Sequence, residues 1–97
     1  MESQILFVEI LREVRNLIDS PYTDVTWSSY NTTEEVLSAV DIYIIRLTER
    51  DNSVLSELKL FFAPTGPLQD ISINSGWSNK YLDISSRFDD IIYDSHI

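Results

Sequence analysis

The amino-acid sequence predicts a compact, mainly α domain of four helices, with room for one short two-stranded extended pair. Its 97 residues suit a single domain, because a chain of this length buries one contiguous core. Apolar residues recur at spacings of three and four in four segments, which is the pattern of helices that bury one face. These segments are residues 3–18, 32–50, 54–62 and 77–93. We therefore expect one domain over residues 1–97, with neighbouring helices antiparallel where the connections are short.

The first predicted helix spans residues 3–18. Ser3 can cap its N-terminus, and a broad apolar stripe from Ile5 to Ile18 faces the core. Pro21 ends the helix, because the residue before a proline avoids the α region and proline cannot continue the hydrogen-bond ladder.

The second predicted helix begins sharply at Thr32, since Thr32 and Glu35 have the spacing of a capping box. It runs to about Arg50. Its expected buried stripe is Val36, Val40 (with Ala39), Tyr43, Ile44 and Leu47. Ile42 and Ile45 lie outside this stripe and make the helix apolar nearly all round its centre. Such a helix is typical of the middle of a small bundle.

Two segments between the predicted helices favour extended structure. Residues 22–27 alternate in polarity, and residues 68–73 follow the helix-stopping residues 64–67. These two segments could pair as short strands. The turn residues 74–76 then lead into the last helix, which begins at Trp77.

The composition combines a strong negative charge with a foldable hydrophobic content. Sixteen Asp and Glu oppose seven Lys and Arg, for a net charge of −9, while 43% of the residues are hydrophobic and 11% aromatic. A disordered acidic tail would contain fewer aromatic and β-branched residues. The charge argues against direct binding of nucleic acid or of an anionic membrane, because phosphate contacts need clustered cations. A basic protein is the expected partner, since opposite charge speeds encounter.

The sequence also predicts a soluble, cytoplasmic protein. It has no basic N-terminal region and no apolar run of roughly 20 residues that could span a bilayer. It has no Cys, which fits a reducing compartment. Its oligomeric state stays open at this level.

Side chains suited to catalysis are scarce. With no Cys and with His96 as the only His, Cys-His and Ser-His-Asp machinery is excluded. Glu9 and Glu13, four apart on one helix, could hold a divalent ion or form an acid–base pair, but a solvated helix face is the preferred interpretation. We therefore expect a protein that is not an enzyme and has no catalytic residue, cofactor or metal ion. A metal-dependent hydrolase that uses carboxylates alone is the enzymatic alternative.

The expected partner-binding residues lie around the start of the second helix. Acidic side chains adjoin aromatic ones there, and Trp and Tyr are common interface anchors. The first choice is Asp24, Trp27, Tyr30, Glu34, Glu35 and Asp41. Trp27 could instead fold back over the core. The second choice is Asp89 and Asp90 near the C-terminus of the last helix, where acids oppose the helix dipole.

A stretch of the C-terminal half resembles a known class of proteins. Residues 63–69 read Ala-Pro-Thr-Gly-Pro-Leu-Gln, and Gly76-Trp77 and the segment 81–89 follow. Over roughly residues 55–90 the chain resembles small bacterial immunity proteins of polymorphic-toxin and contact-dependent growth inhibition systems. The shared motifs are structural, namely a helix stop, a turn and an aromatic anchor, so no functional residue is carried over.

The resemblance implies a protein that neutralises a cognate toxin by tight stoichiometric binding. In such systems the toxin is often a nuclease, and a basic nuclease domain fits the acidic composition. The alternative is a small acidic adaptor or scaffold subunit of a larger complex with no toxin partner. Self-association through an exposed apolar face of the second helix would favour that alternative.

Overall fold

A computed structural model describes residues 2–26, 28, 30–63 and 66–94. Five α-helices and no β-strand lie in these ranges. They are α1 (Glu2–Ile18), α2 (Thr33–Thr48), α3 (Val54–Phe61), α4 (Pro67–Ser75) and α5 (Ser78–Asp94). The prediction of a mainly α chain is confirmed, and α1, α2, α3 and α5 match the four predicted helices to within two residues at each end. None of the helices in the described ranges is both long and apolar enough to cross a bilayer.

The fifth helix, α4, shows that the predicted extended pair is wrong. Residues 68–73 are helical, and the described residues of the segment 22–26 are irregular. Pro67 occupies the first turn of α4, where its missing N–H is not needed and its fixed φ suits the helix. Leu68 and Ile71, three residues apart, are buried on one side of the helix. The apolar residues of this segment therefore follow the helical period rather than the alternation of a strand.

The core lies between α1, α2 and α5, with α3 and α4 at its sides. Helix α1 packs against both α2 and α5, α3 packs against α2, and α4 packs against α5. The buried apolar side chains are Phe7, Ile10, Leu11, Val14, Ile18, Val36, Val40, Leu47, Val54, Leu58, Phe61, Phe62, Leu68, Ile71, Trp77, Tyr81, Ile84 and Phe88. Because the main contacts of α2 are with α1 and α3, its opposite side faces solvent.

Local hydrogen bonds set both ends of α2. The Thr32 hydroxyl accepts from the Glu35 N–H at 3.2 Å, and the Glu35 carboxylate accepts from the Asn31 N–H at 3.2 Å. The predicted cap is confirmed, although the carboxylate reaches one residue further back than in the usual capping box. At the other end Arg50 adopts a left-handed φ of 62°, and its N–H donates to the Leu47 carbonyl oxygen at 3.0 Å. This is the geometry in which helices commonly terminate.

Arg46 joins the end of α2 to α3. Its Nε donates to Asp51 at 2.9 Å, its Nη2 donates to the Ser53 hydroxyl at 2.9 Å, and its Nη1 pairs with the Glu57 carboxylate. The hydrogen bonds to Asp51 and Glu57 raise the pKa of Arg46. The α2–α3 turn is therefore held by one guanidinium with partners on both sides of it.

Candidate partner-binding surfaces

The solvent side of α2 has an apolar centre between acidic ends. We call this surface the α2 face and define it by five exposed residues at spacings of three and four: Glu34, Ser38, Ile42, Ile45 and Glu49. Residues at these spacings lie on one side of a helix. Ile42 and Ile45 are 53% and 55% exposed. An apolar centre with a polar rim is the usual arrangement of a protein-binding surface.

Only part of the first-choice set is available on this side of the molecule. Glu34 is exposed on the α2 face. Glu35 is exposed beside it, but its carboxylate accepts the Asn31 N–H and so serves the helix cap. Asp41 is half-buried and accepts from Arg15 Nε at 2.7 Å. The hydrogen bond to Asp41 raises the pKa of Arg15, and the charge of Asp41 is balanced within the protein.

Asp24 and Tyr30 hold the connection between α1 and α2 in place. The Asp24 carboxylate accepts hydrogen bonds from the hydroxyl and the N–H of Thr26, which lower the pKa of Asp24. The Asp24 N–H donates to the Ser75 hydroxyl at 2.9 Å and so ties this connection to the end of α4. Tyr30 is half-buried against the core, and burial raises its pKa. Trp27 lies outside the described residues, so its role stays a prediction.

The second-choice residues border two different surfaces. Asp89 and Asp90 are both exposed on α5, but successive residues of a helix point in different directions. Asp89 lines a cleft between α3, α4 and α5. Asp90 lines a depression of about 240 Å³ between α1 and α5, together with Glu9 and Leu6. The two aspartates therefore belong to separate surfaces.

A salt bridge joins α1 to α5 beside that depression. The two terminal nitrogens of Arg87 donate to the Glu13 carboxylate at 2.7 Å each, and Arg87 Nε contacts Asp83 at 3.2 Å. The hydrogen bond from Arg87 lowers the pKa of Glu13. Glu13 is thus engaged by Arg87 rather than free to act with Glu9. Within the described part of the chain, no three His, Asp or Glu side chains are grouped so that they could hold a metal ion.

A helix that is apolar nearly all round its centre was expected in the middle of the bundle, but the structure leaves Ile42 and Ile45 at the surface. The buried side of α2 consists of Val36, Val40 and Leu47. A helix turns by about 100° per residue, so Ile42 and Ile45 lie far from that buried stripe. The sequence shows this angular separation, but the apolar character of the two side chains suggested that neighbouring helices cover this side of α2 as well.

Comparison with known proteins identifies no relative. No protein-family model matches the chain, and no curated protein or solved structure matches it significantly. The resemblance to immunity proteins and the partner-binding role therefore stay predictions.

Proposed function

We propose that this protein is an immunity protein that binds a basic toxin domain, of nuclease type, and neutralises it by stoichiometric contact through the α2 face. The observation that carries the proposal is the half-exposed pair Ile42 and Ile45 between the acidic residues Glu34 and Glu49. The net charge of −9 adds a long-range attraction for a cationic partner. The toxin class follows from the resemblance over residues 55–90.

The apolar centre of the α2 face would supply affinity. Burying a fully exposed Ile contributes about 1.5–3 kcal/mol. Ile42 and Ile45 are already about half buried, so contact with a partner adds about 1 kcal/mol for each side chain. Charges at the rim of an interface act mainly on the association rate and on its salt dependence. Glu34 and Glu49 would therefore select a cationic partner and speed its approach.

A nuclease suits this acidic partner because its phosphate-binding surface is cationic. Proteins that bind nucleic acid neutralise phosphates with Lys and Arg. The carboxylates of the α2 face can pair with the same cations and so cover the surface that nucleic acid needs. Salt screens such exposed pairs, so we expect the complex to weaken as ionic strength rises.

Affinity purification tests the proposal directly. A tagged form of the protein captures its partners from its native cells at low ionic strength, and mass spectrometry identifies what co-elutes. We expect a stoichiometric basic polypeptide whose toxic activity falls when this protein is added back. Recovery of a large housekeeping assembly, or of no partner even at low salt, contradicts the proposal.

Charge reversal distinguishes the α2 face from the rest of the acidic surface. The double variant Glu34→Lys with Glu49→Lys is expected to lose most of the captured partner. Ile42→Ser is expected to weaken the complex about fivefold, the equivalent of about 1 kcal/mol. The matched control, Glu9→Lys with Asp90→Lys, changes the net charge equally on the α1–α5 side. Equal losses in the two double variants would show that total charge matters and that the site assignment is wrong.

A second candidate function, a small adaptor or scaffold subunit without a toxin, is favoured by the same exposed isoleucines. Two copies packed through their α2 faces would bring like charges together, so self-association should strengthen with salt, whereas binding to a cationic toxin should weaken. Sedimentation velocity at low and high salt separates the two. A dimer that salt promotes and that Ile45→Ser disrupts supports the adaptor. A monomer at both salt concentrations supports the immunity protein.

A further inference from the structure

A cleft of about 260 Å³, which we call the α5 cleft, opens between α3, α4 and α5. Its floor consists of the buried rings of Phe62, Tyr81 and Phe88. The Phe62 and Phe88 rings stack with centroids 4.3 Å apart and 14° between their planes, and the Tyr81 ring lies within 5° of parallel to Phe62. The Tyr81 hydroxyl donates to the Phe62 carbonyl oxygen at 3.1 Å. Packing and a buried hydrogen bond therefore hold the floor in one arrangement.

The volume of the α5 cleft suits a protein side chain better than a cofactor or metabolite. Small-molecule sites in proteins typically enclose roughly 300–1,000 Å³, and this cleft is smaller. Rigid apolar pockets that accept one or two large side chains are common at the centres of protein interfaces. The preformed aromatic floor also lowers the entropy lost on binding, because the rings are already ordered.

The mouth of the α5 cleft combines an exposed apolar side chain with an available carboxylate. Leu82 is 59% exposed, and Asp89 lies on the same side of α5, seven residues further along. The ion pairs among the described residues use other carboxylates. Lys59 lines the α3 side of the mouth. A partner therefore meets a carboxylate on the α5 side of the mouth and a cation on the α3 side, and only Asp89 can attract a Lys or Arg.

We infer that the α5 cleft is a docking site for a segment of a basic protein that inserts Phe or another large apolar side chain and places Lys or Arg beside Asp89. The inserted side chain packs on the rings of Phe62 and Phe88, and Leu82 covers its edge. The net charge of −9 favours a basic partner, and Asp89 places the partner's cation on the α5 side of the mouth, away from Lys59 on the α3 side. The α5 cleft shares no residue with the α2 face, so an experiment can refute the role assigned to one surface without affecting the role assigned to the other.

Peptide titration of the full chain, followed by ¹H–¹⁵N NMR, tests the inference. The probe is acetyl-Gly-Phe-Lys-Gly-amide, compared with one peptide that has Glu in place of Lys and another that has Ala in place of Phe. We expect saturable shifts of the backbone amides of Phe62, Tyr81, Leu82, Ser85 and Asp89. The Lys peptide should bind about two- to fivefold more tightly than the Glu peptide, and the Ala peptide should give no localised shifts.

Two matched pairs of variants locate the site. Ser85→Leu fills the cleft and should remove the localised shifts, whereas Ser86→Leu, at the next and exposed position of α5, should keep them. Asp89→Asn should remove the preference for the Lys peptide, and Asp90→Asn should retain it. If Ser85→Leu does not fold, the comparison of Asp89→Asn with Asp90→Asn still tests the inference by itself. Equal binding of the Lys and Glu peptides, shifts that are absent or centred elsewhere, or a variant that behaves like its control overturns the inference.

Discussion

Replacing Gly66 with alanine probes how closely the chain before α4 packs on the end of α3. Gly66 is buried. An added Cβ would collide with the Leu60 carbonyl oxygen and would lie 3.0 Å from the Phe61 carbonyl oxygen and 3.1 Å from that of Ala63. A side chain in the way could rotate aside, but these three oxygens belong to the backbone. The chain would therefore have to move.

We expect Gly66→Ala to lower the free energy of unfolding by about 1–3 kcal/mol, the usual cost of overpacking. The substitution also lowers the conformational entropy of the unfolded chain, which stabilises the protein by about 0.4–1 kcal/mol. The cost of the clash itself is larger than the net loss by that amount. In a domain of this size each kcal/mol lowers Tm by about 4–8 °C, so Tm should fall by at least about 4 °C. Urea and thermal denaturation followed by far-ultraviolet circular dichroism measure both quantities.

Gly76 provides the matched control. It has a φ of 85°, but no heavy atom beyond its neighbours in the chain lies within 4 Å of an added Cβ. Gly76→Ala should therefore cost only backbone strain, about 1–2 kcal/mol. Gly76→Asn should cost less, because Asn tolerates the left-handed region. At Gly66 we expect the opposite order, with Gly66→Asn costing more stability than Gly66→Ala, because Asn adds more atoms to a site that is already too small for a Cβ. A Gly66→Ala variant as stable as the parent refutes the packing argument.

Three further predictions concern side chains that join the helices. The Arg87–Glu13 pair is nearly half exposed and should contribute about 0.5–1 kcal/mol. Because folding lowers the pKa of Glu13, this stability is present above the unfolded pKa of 4.5 and is lost as the pH falls through the folded pKa. The urea midpoints of Arg87→Gln and of the parent protein should therefore differ at neutral pH and converge in acid. Tyr81→Phe deprives the Phe62 carbonyl oxygen of its donor and should cost about 1–2 kcal/mol in the same assay. Burial raises the pKa of Tyr81 to about 12, so the Tyr81 phenolate should not form well below that pH. Ultraviolet absorbance measures phenolate formation, and Tyr81→Phe identifies the part of the signal that belongs to Tyr81. A Tyr81 phenolate that forms well below pH 12 contradicts the burial of this side chain. Arg46→Met should speed the hydrogen exchange of the α3 amides and leave the exchange of the α1 amides unchanged. The same change in both helices, or no change in either, would show that Arg46 does not hold the α2–α3 turn.

The helix ends were predictable because their signals are local. Thr32 and Glu35 lie within four residues of the N–H groups that they cap. Pro21 follows shortly after the last residue of α1, as its chemistry requires. The spacing of Val36 and Val40 identifies the buried side of α2 without reference to the neighbouring helices.

Residues 68–73 were not predictable in the same way. Leu68 and Ile71 have helical spacing, whereas Ile71 and Ile73 have the spacing of a strand, so a short segment satisfies both patterns. Packing of α4 against α5 resolves the ambiguity. It buries Leu68 and Ile71 and leaves Ile73 55% exposed.

By itself, the sequence determined that the chain is acidic, mainly helical and divided at its turn residues, because charge and periodicity are properties of nearby residues. Only the tertiary structure decided which carboxylates stay available to a partner. Arg15 engages Asp41 across 26 positions of the chain, and Arg87 engages Glu13 across 74. Helix packing also left the two isoleucines of the α2 face in solvent. These outcomes depend on which helices meet, and a pairing between distant segments has no local pattern that could reveal it.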